Sequence, residues 1–563
     1  MQMLTAFDAR KLSVAEYAAL TLMAVASAAV ATLLNKYFPL PQAVFLACWC
    51  LVVVLLSLAL ARSMGNAWQS KNLPAKLFVG FLLIAIFISA LKPTSTGFSR
   101  HDEIYSWGMW GVQHALGKQP DLYYTGAAYP QFFSYEIASV FLAQGTHFSH
   151  FFAKLIAGLP SLLIIIVLGD FVAKSQRSWV NWLTLLLSIG AIASIANLLY
   201  WAYADPLASA LLITSLALIL QYARRRELRL MVLASACALM AALTKQPGLV
   251  WCFASLPAMA AYGVWRLGWK KEVLAPCIAA MALAAIWPVF LAPSFASNQG
   301  VMDIVTKNGG IVDSVFKSVK TYVLASPGIG FILILPVLLA FRSKPLRFSW
   351  LFFVFPYLII WFALGSYELR HGMHVILMSV LLVMHALTSQ YPLVENPASA
   401  QQGSGMIERH WMACVSFLLV ILSMFLAYHR NADALKDGNR AIFISQFGSD
   451  AAEVFDGIVG SQSHVFAFSN YQYGIFFNRT PLFRLDAKEK NVSVQTLRSH
   501  LLTSRSAYVF TAGDWDYGSF SANFQALSQM CPEALQLMKK SEVQPQFSIY
   551  RVHQESLLSR CQP

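Results

Sequence analysis

Apolar segments about as long as a bilayer is thick recur along most of the first 430 positions of this chain. A helix needs about 20 predominantly apolar residues to cross the hydrocarbon core. In lipid the backbone must bond to itself, so spanning segments are helices or closed barrels. A barrel would read as short alternating strands, whereas these runs are continuous. Residues are 57% hydrophobic and 12% charged, with a mean hydropathy of +0.56, which excludes an ordinary soluble globule. The pattern predicts a polytopic α-helical membrane protein of about 13 spans. They fall at 14–34, 41–61, 74–92, 148–173, 178–199, 205–222, 229–245, 248–266, 273–292, 321–341, 349–365, 371–389 and 410–428.

The formal net charge is +14. On a soluble protein that would point to nucleic acid. Here Lys and Arg gather in short loops between spans, the positive-inside pattern, so nucleic acid is not an expected partner. With the spans above, Arg10/Lys11, Arg62/Lys71/Lys76, Lys174/Arg177, Arg224/Arg225/Arg226/Arg229, Arg266/Lys270/Lys271 and Arg342/Lys344/Arg347 share one side. That side is expected to be the cytoplasmic face of the inner membrane, with the N-terminus on it. Counting 131–145 as a span would move Arg224 to Arg226 outside, so it reads as an interfacial helix on the outer surface. Ala26-Ser27-Ala28 loosely resembles a cleavage site. The apolar run continues through Leu34, so an uncleaved first span is expected.

The outer side then receives the loop 93–147, the turn Tyr200 to Pro206, Thr244 to Gly248, the loop 293–320, Ser366 to Gly372 and everything after about residue 430. Two domains follow: 1–429 in the membrane and 430–563 as a soluble extracytoplasmic domain. In the latter, β-rich runs at 465–468, 474–477, 507–511 and 547–551 alternate with helical patterns at Ser449 to Val459 and Phe520 to Lys540. That alternation predicts a small α/β domain. Six of the eight cysteines lie in or beside apolar spans and read as small hydrophobes. Cys531 and Cys561 are the two in the polar C-terminal region; a disulfide between them fits if that region faces an oxidising compartment.

Chemistry concentrates on the outer side. Asp102 and Glu103 are adjacent acids closely following a span, and Glu103 opens an aromatic-rich amphipathic stretch to Leu116 suited to the interface. A carboxylate at such a helix start sits near the positive dipole end, stays ionised and can take a proton from a hydroxyl nucleophile. The plain alternative is a pair of solvated acids that stop a helix from sliding into lipid. Tyr129-Pro130 opens a second interfacial helix, and Asp205-Pro206 opens a span, where Asp205 also suits an N-cap. Lys245 ends a span, where lysines often snorkel. Arg370, His371 and His374 begin the twelfth span, with Glu368 just before them. An outer basic cluster breaks the positive-inside trend and suits an anion such as a lipid phosphate; interfacial anchoring is the competing explanation.

In their order and shared face, Asp102-Glu103, Tyr129-Pro130, Tyr203-Ala204-Asp205-Pro206 and Lys245-Gln246-Pro247-Gly248 resemble the GT-C superfamily of membrane glycosyltransferases. That group includes protein O-mannosyltransferases and the aminoarabinose transferases of lipid A. The likeness covers roughly 75–390, and three spans precede the acidic loop here where many relatives have one. The resemblance implies transfer of a sugar from a polyprenyl-phosphate donor to an envelope acceptor (lipid, polysaccharide or protein), by inverting displacement. It implies Asp102 as general base with Glu103 as neighbour or substitute. Lys245, Arg370 and His371 are candidates for charge on the departing phosphate, and His101, Tyr129, Tyr203 and Asp205 for substrate binding. Some relatives use a divalent metal and others do not; no His/Asp cluster of metal-ligand spacing is visible, with His101 beside Asp102 the nearest approach.

Two other readings remain. A transporter or flippase of lipid-linked saccharides would place ionisable groups at mid-membrane and show paired repeats. Here polar groups gather at one face. A polymerase or ligase of lipid-linked saccharides would lean on late arginine and histidine, which Arg370-His371 supplies, but not on an early Asp-Glu loop.

Overall fold

The computed structural model describes residues 12–70, 72–94, 98, 103–118, 130–147, 149–172, 174–175, 177–196, 198–286, 309–340, 344–364, 369–390, isolated positions between 418 and 429, and 438–458, 463–467, 482–484, 493–512, 520–541 and 547–561. The chain divides into two units. One holds Met1–Ser95, Gly126–Gly145 and Phe152–Arg430; the other holds Thr96–Thr125, Thr146–Phe151 and Asn431–Pro563.

Helices are numbered in chain order: α1 (Val14–Asn35), α2 (Gln42–Gln69), α3 (Leu73–Thr94), α4 (Met109–Ala115), α5 (Phe132–Gln144), α6 (Phe151–Ile156), α7 (Gly158–Gly169), α8 (Ser178–Ile195) and α9 (Ala204–Arg225). Next come α10 (Leu228–Thr244), α11 (Gln246–Val250), α12 (Leu256–Arg266), α13 (Leu274–Ala284), α14 (Ile311–Ser318), α15 (Pro327–Ala340), α16 (Lys344–Phe353), α17 (Phe355–Leu364) and α18 (Met373–Gln390). Among the described residues eight segments are long and apolar enough to cross a membrane: α1, α2, α3, α6–α7, α8, α9, α11–α12 and α18 with the turn before it. The chain is therefore read as a multi-pass membrane protein. Helix α10, at 17 residues, is shorter than a full span. The span expected over 321–341 is instead a bent pair, Ile311–Leu324 and Gly328–Leu338, meeting at 99°. Pro327 lies in the break, and the residue before a proline is disfavoured in helical conformation. Of 410–428 only scattered positions are described. Within α11–α12 the turn Trp251–Ser255 widens to a π-helix just before Pro257, whose nitrogen cannot donate to the previous turn.

At one end of the bundle basic residues from separate loops meet. Glu16, fully buried in the first turn of α1, pairs with Arg229 at 3.2 Å and Arg225 at 3.8 Å. Its carboxylate also accepts from the Ser13 backbone N–H, completing a capping box. Arg224 donates to Ser389, and Arg226 donates to the Leu267 carbonyl. The starts of α1 and α10 and the ends of α9, α12 and α18 thus lie together. Nothing in the local pattern around Glu16 marked it as an ion-pair partner.

Helix α5 has 13 residues, too few for a span. Rather than lying free on a surface, it is buried along α1 and α2. Lys36 donates to the Tyr135 hydroxyl at 3.3 Å, Trp49 to Ser139 at 3.1 Å and Gln42 to the Ala143 carbonyl at 2.7 Å. This packing buries Glu136, whose Oε2 has no hydrogen-bond partner among the described residues. Burial alone pushes the Glu136 carboxyl well above the ordinary carboxylate range. The folded state therefore holds this proton more tightly than the unfolded chain. Its stabilising contribution is full below the unfolded value and is lost as pH rises toward the folded one. Glu136→Gln removes the titration and keeps the shape. Thermal unfolding of the purified protein should then depend less on pH from about 4.3 upward; equal pH dependence in both proteins would mean that Glu136 is not buried as a neutral acid.

In the second unit, α4 follows a π turn, Glu103–Gly108. The stretch is buried on more than an apolar stripe: Trp107, Trp110 and Val112 are enclosed, and so are Glu103, Gln113 and His114. That differs from the interfacial helix expected, which would leave its polar face in water.

The C-terminal part of this unit is a five-stranded sheet of order β2-β1-β3-β5-β4. The strands are β1 (His464–Ala467), β2 (Leu482–Arg484), β3 (Ser506–Ala512), β4 (Leu535–Ser541) and β5 (Phe547–Val552). β1 runs parallel to β2 and β3, and β5 antiparallel to β3 and β4. Alternation divides the core. Val465, Phe510 and Ile549 pack with Phe443, Phe447 and Phe455 on one face; Phe466, Val509 and Val552 pack with Leu497, Phe524 and Leu557 on the other. The helix expected over Phe520 to Lys540 ends at Met530, since Cys531-Pro532 cannot continue it, and 535–541 is strand β4. The run 474–477 lies outside the described residues. Cys531 and Cys561 form a disulfide.

Candidate functional site

At the opposite end of the first unit from Glu16, four elements bring charged groups together. Tyr203, in extended conformation, is the N-cap of α9, and Asp205 lies in that helix's first turn. The N-cap role expected for Asp205 thus passes to its neighbour. Asp205 instead pairs with Lys245, 40 residues away, at 2.5 Å; their side chains are 6% and 8% exposed. Lys245 is an extended residue between α10 and α11, so the chain turns there and drives the side chain inward. It does not snorkel.

Two glycines make this turn and its neighbour fit. A Cβ on Gly248 would collide with the Ala241 backbone of α10, so only glycine lets α11 fold back this closely. A Cβ on Gly372 would enter the Trp361 ring, which the 3-10 turn Leu369–Gly372 lies against. That turn presents Arg370 and His371 just before α18. The Arg370 guanidinium lies over the Tyr203 ring, 5.0 Å from its centroid, a cation–π arrangement. Trp201 meets Tyr203 edge-on at 5.2 Å. The Asp205 carboxylate feels the positive field of Lys245 first, then of Arg370 and His371. His374, the second residue of α18, is buried and meets Tyr357 edge-on.

Among the described residues these parts form a basic cluster around the Asp205 carboxylate. The N-termini of α9 and α18 both face it and add partial positive charge. Asp205 Oδ1 is taken by Lys245, while buried Oδ2 has no partner among the described residues. An orphaned acceptor among basic side chains suits a ligand that carries both an anion and hydroxyl groups.

The structure therefore brings together Tyr203, Asp205, Lys245, Arg370 and His371. Glu103 is buried at the start of the π turn in the second unit. His101, Asp102 and Tyr129 lie outside the described residues. Among the described residues no three His, Cys, Asp or Glu side chains converge as a metal site requires. His374 was expected in the outer basic cluster with Arg370 and His371, whereas Tyr357 went unassigned in the sequence. No protein-family model and no curated protein matches the chain.

Proposed function

We propose that this protein is a lipid-dependent glycosyltransferase of GT-C type, with 13 spans, working on the outer face of the cytoplasmic membrane. The observation that carries the reading is the convergence of Lys245, Arg370 and His371 on buried Asp205 at one end of the bundle. The donor is a polyprenyl-phosphate sugar. The acceptor hydroxyl oxygen bonds to the anomeric carbon while the bond from that carbon to the phosphate oxygen breaks. The electron pair leaves with the phosphate, and the hydroxyl proton passes to the acidic base, Asp102, with Glu103 as its neighbour. Negative charge grows on the phosphate as it departs. Lys245, Arg370 and His371 are already oriented to meet it, so little reorganisation is required in the transition state. Asp205 pairs with Lys245 through Oδ1 and offers Oδ2 to a sugar hydroxyl. The Cys531–Cys561 disulfide fits a C-terminal domain on the oxidising side.

The test compares envelope glycans by mass spectrometry in cells with the gene, without it, and with Asp102→Asn or Asp102→Asn/Glu103→Gln. One sugar modification should vanish without the gene and with Asp102→Asn, at unchanged protein level in the membrane. Activity surviving the double replacement would sink the base assignment. A glycan profile indifferent to the gene would sink the transferase reading.

One observation favours a second reading. The 99° break between Ile311–Leu324 and Gly328–Leu338 resembles the discontinuous helices that line transport paths. Vesicles holding the purified chain would then move a fluorescent lipid-linked saccharide across the bilayer without any sugar transfer.

A further inference from the structure

A second feature of the first unit is linked to the turn 198–203 through α3. Helices α2, α3, α5 and α6–α7 enclose an almost wholly apolar crevice of about 570 Å³. That is within the usual range for a small-molecule site. Its walls include Val53, Ala90 and Val140, and its lips, Leu46 and Phe152, are 48% and 41% exposed. Ile421 also stands on its wall, and the exposed lips leave the crevice open at the side of the bundle, where a membrane protein meets lipid chains. Polar atoms on its walls are few, and the Trp49 ring nitrogen is already committed to Ser139. Beyond Trp49, Ser89 and Gln144 its lining is nearly all apolar, which suits a sugar or a peptide poorly. A hydrocarbon chain fits.

The rim says more about the occupant. Lys92, two residues beyond Ala90 on α3, is exposed and lies over the Tyr200 ring, 5.0 Å from its centroid. Three residues later in the same turn, Tyr203 carries Arg370. Three residues of fully extended chain reach at most about 11 Å. Ser161 on α7 clamps the turn by bonding the Leu199 carbonyl. One short, anchored turn therefore separates two cation–aromatic stations. The station at Tyr203 belongs to the cluster assigned to the donor phosphate; the station at Tyr200 is built on Lys92, two residues along α3 from the crevice wall at Ala90.

We infer that the crevice seats the hydrocarbon chain of a lipid-borne acceptor, whose anionic head group rests at Lys92 within reach of the donor. This rests on the transferase reading and narrows its acceptor to a lipid. The occupant is committed by the apolar walls, the complementary charge of Lys92 and the adjacency of the two stations.

The test uses the full chain and two variants, Ala90→Phe, which fills the crevice, and Leu46→Trp, which narrows its exposed lip without touching the core. Lipids co-purifying with each protein are identified by mass spectrometry, gene-dependent sugar is located among envelope fractions, and polyprenyl phosphate binding is measured as the donor probe. The expected result is a gene-dependent sugar on a lipid. That lipid should co-purify with the native chain and fall at least tenfold in both variants, with product falling in parallel and polyprenyl phosphate binding unchanged. Loss of polyprenyl phosphate binding in the variants would make the crevice a donor site and overturn the inference. So would undiminished product, or co-purification of bulk phospholipid alone. A gene-dependent sugar found only on protein or polysaccharide overturns the acceptor assignment and leaves the transferase reading standing; the absence of any gene-dependent sugar overturns the transferase reading itself.

Discussion

Lys245→Met should lower the stability of the purified protein by about 3–5 kcal/mol, the usual cost of removing one partner from a buried ion pair. The variant keeps the aliphatic volume, so cavity formation adds little. What it leaves behind is Asp205, 6% exposed, with its closest counter-ion gone and its Oδ2 already without a partner among the described residues. Arg370 and His371 supply positive field, but Lys245 is the group bonded to the carboxylate. Replacing both members, Asp205→Asn with Lys245→Met, removes the unpaired charge and should recover most of the loss. Transfer should stay absent in the double variant, because the charge that meets the phosphate is still missing. Thermal unfolding in detergent separates these effects. If the double variant is as unstable as the single one, the two residues do not act as a pair. If it regains both stability and activity, the cluster has been wrongly assigned to the donor.

The second large effect belongs to the C-terminal domain. Cys531 and Cys561 are 30 residues apart in sequence and close a loop that carries both β4 and β5. Cross-linking a loop of this length restricts the unfolded chain by about 3–4 kcal/mol. Cys531→Ser should therefore lower the melting temperature of this domain by roughly 10 °C. Both cysteines are buried against Phe524, Leu527 and Leu557, so the serine also places a hydroxyl in an apolar core. The readout is limited proteolysis of the full chain across a temperature series, with and without reductant. A native chain whose cleavage temperature ignores reductant would show that the bond does not hold the domain. Maleimide should label the two sulfurs only after reduction.

Much of the first unit was legible as sequence because hydrophobicity is a local property. Helix α1 was expected over 14–34 and runs from Val14 to Asn35; α9 was expected over 205–222 and runs from Ala204 to Arg225. Apolar length decides such elements, and neighbours in sequence supply it. In the sheet, β3 and β5 were readable for the same reason, since their residues alternate between two buried layers. Strand β4 was not. Its Lys539, Lys540 and Ser541 carry little strand signal, and pairing with β5 is what holds it extended.

What the chain determined by itself was therefore its character as a helical membrane protein with a small α/β domain, and the segments in which polar chemistry would gather. Tertiary structure alone decided the partners. Asp205 looked like a cap and became half of a buried ion pair. Lys245 looked like a snorkelling lysine and was turned inward by the close return of α11 at Gly248. Glu16 and Glu136 were ordinary acids in apolar helices until packing gave one two arginines and left the other with none. In each case local pattern chose the helix, while burial, set by residues distant in the chain, chose which charges had to be matched.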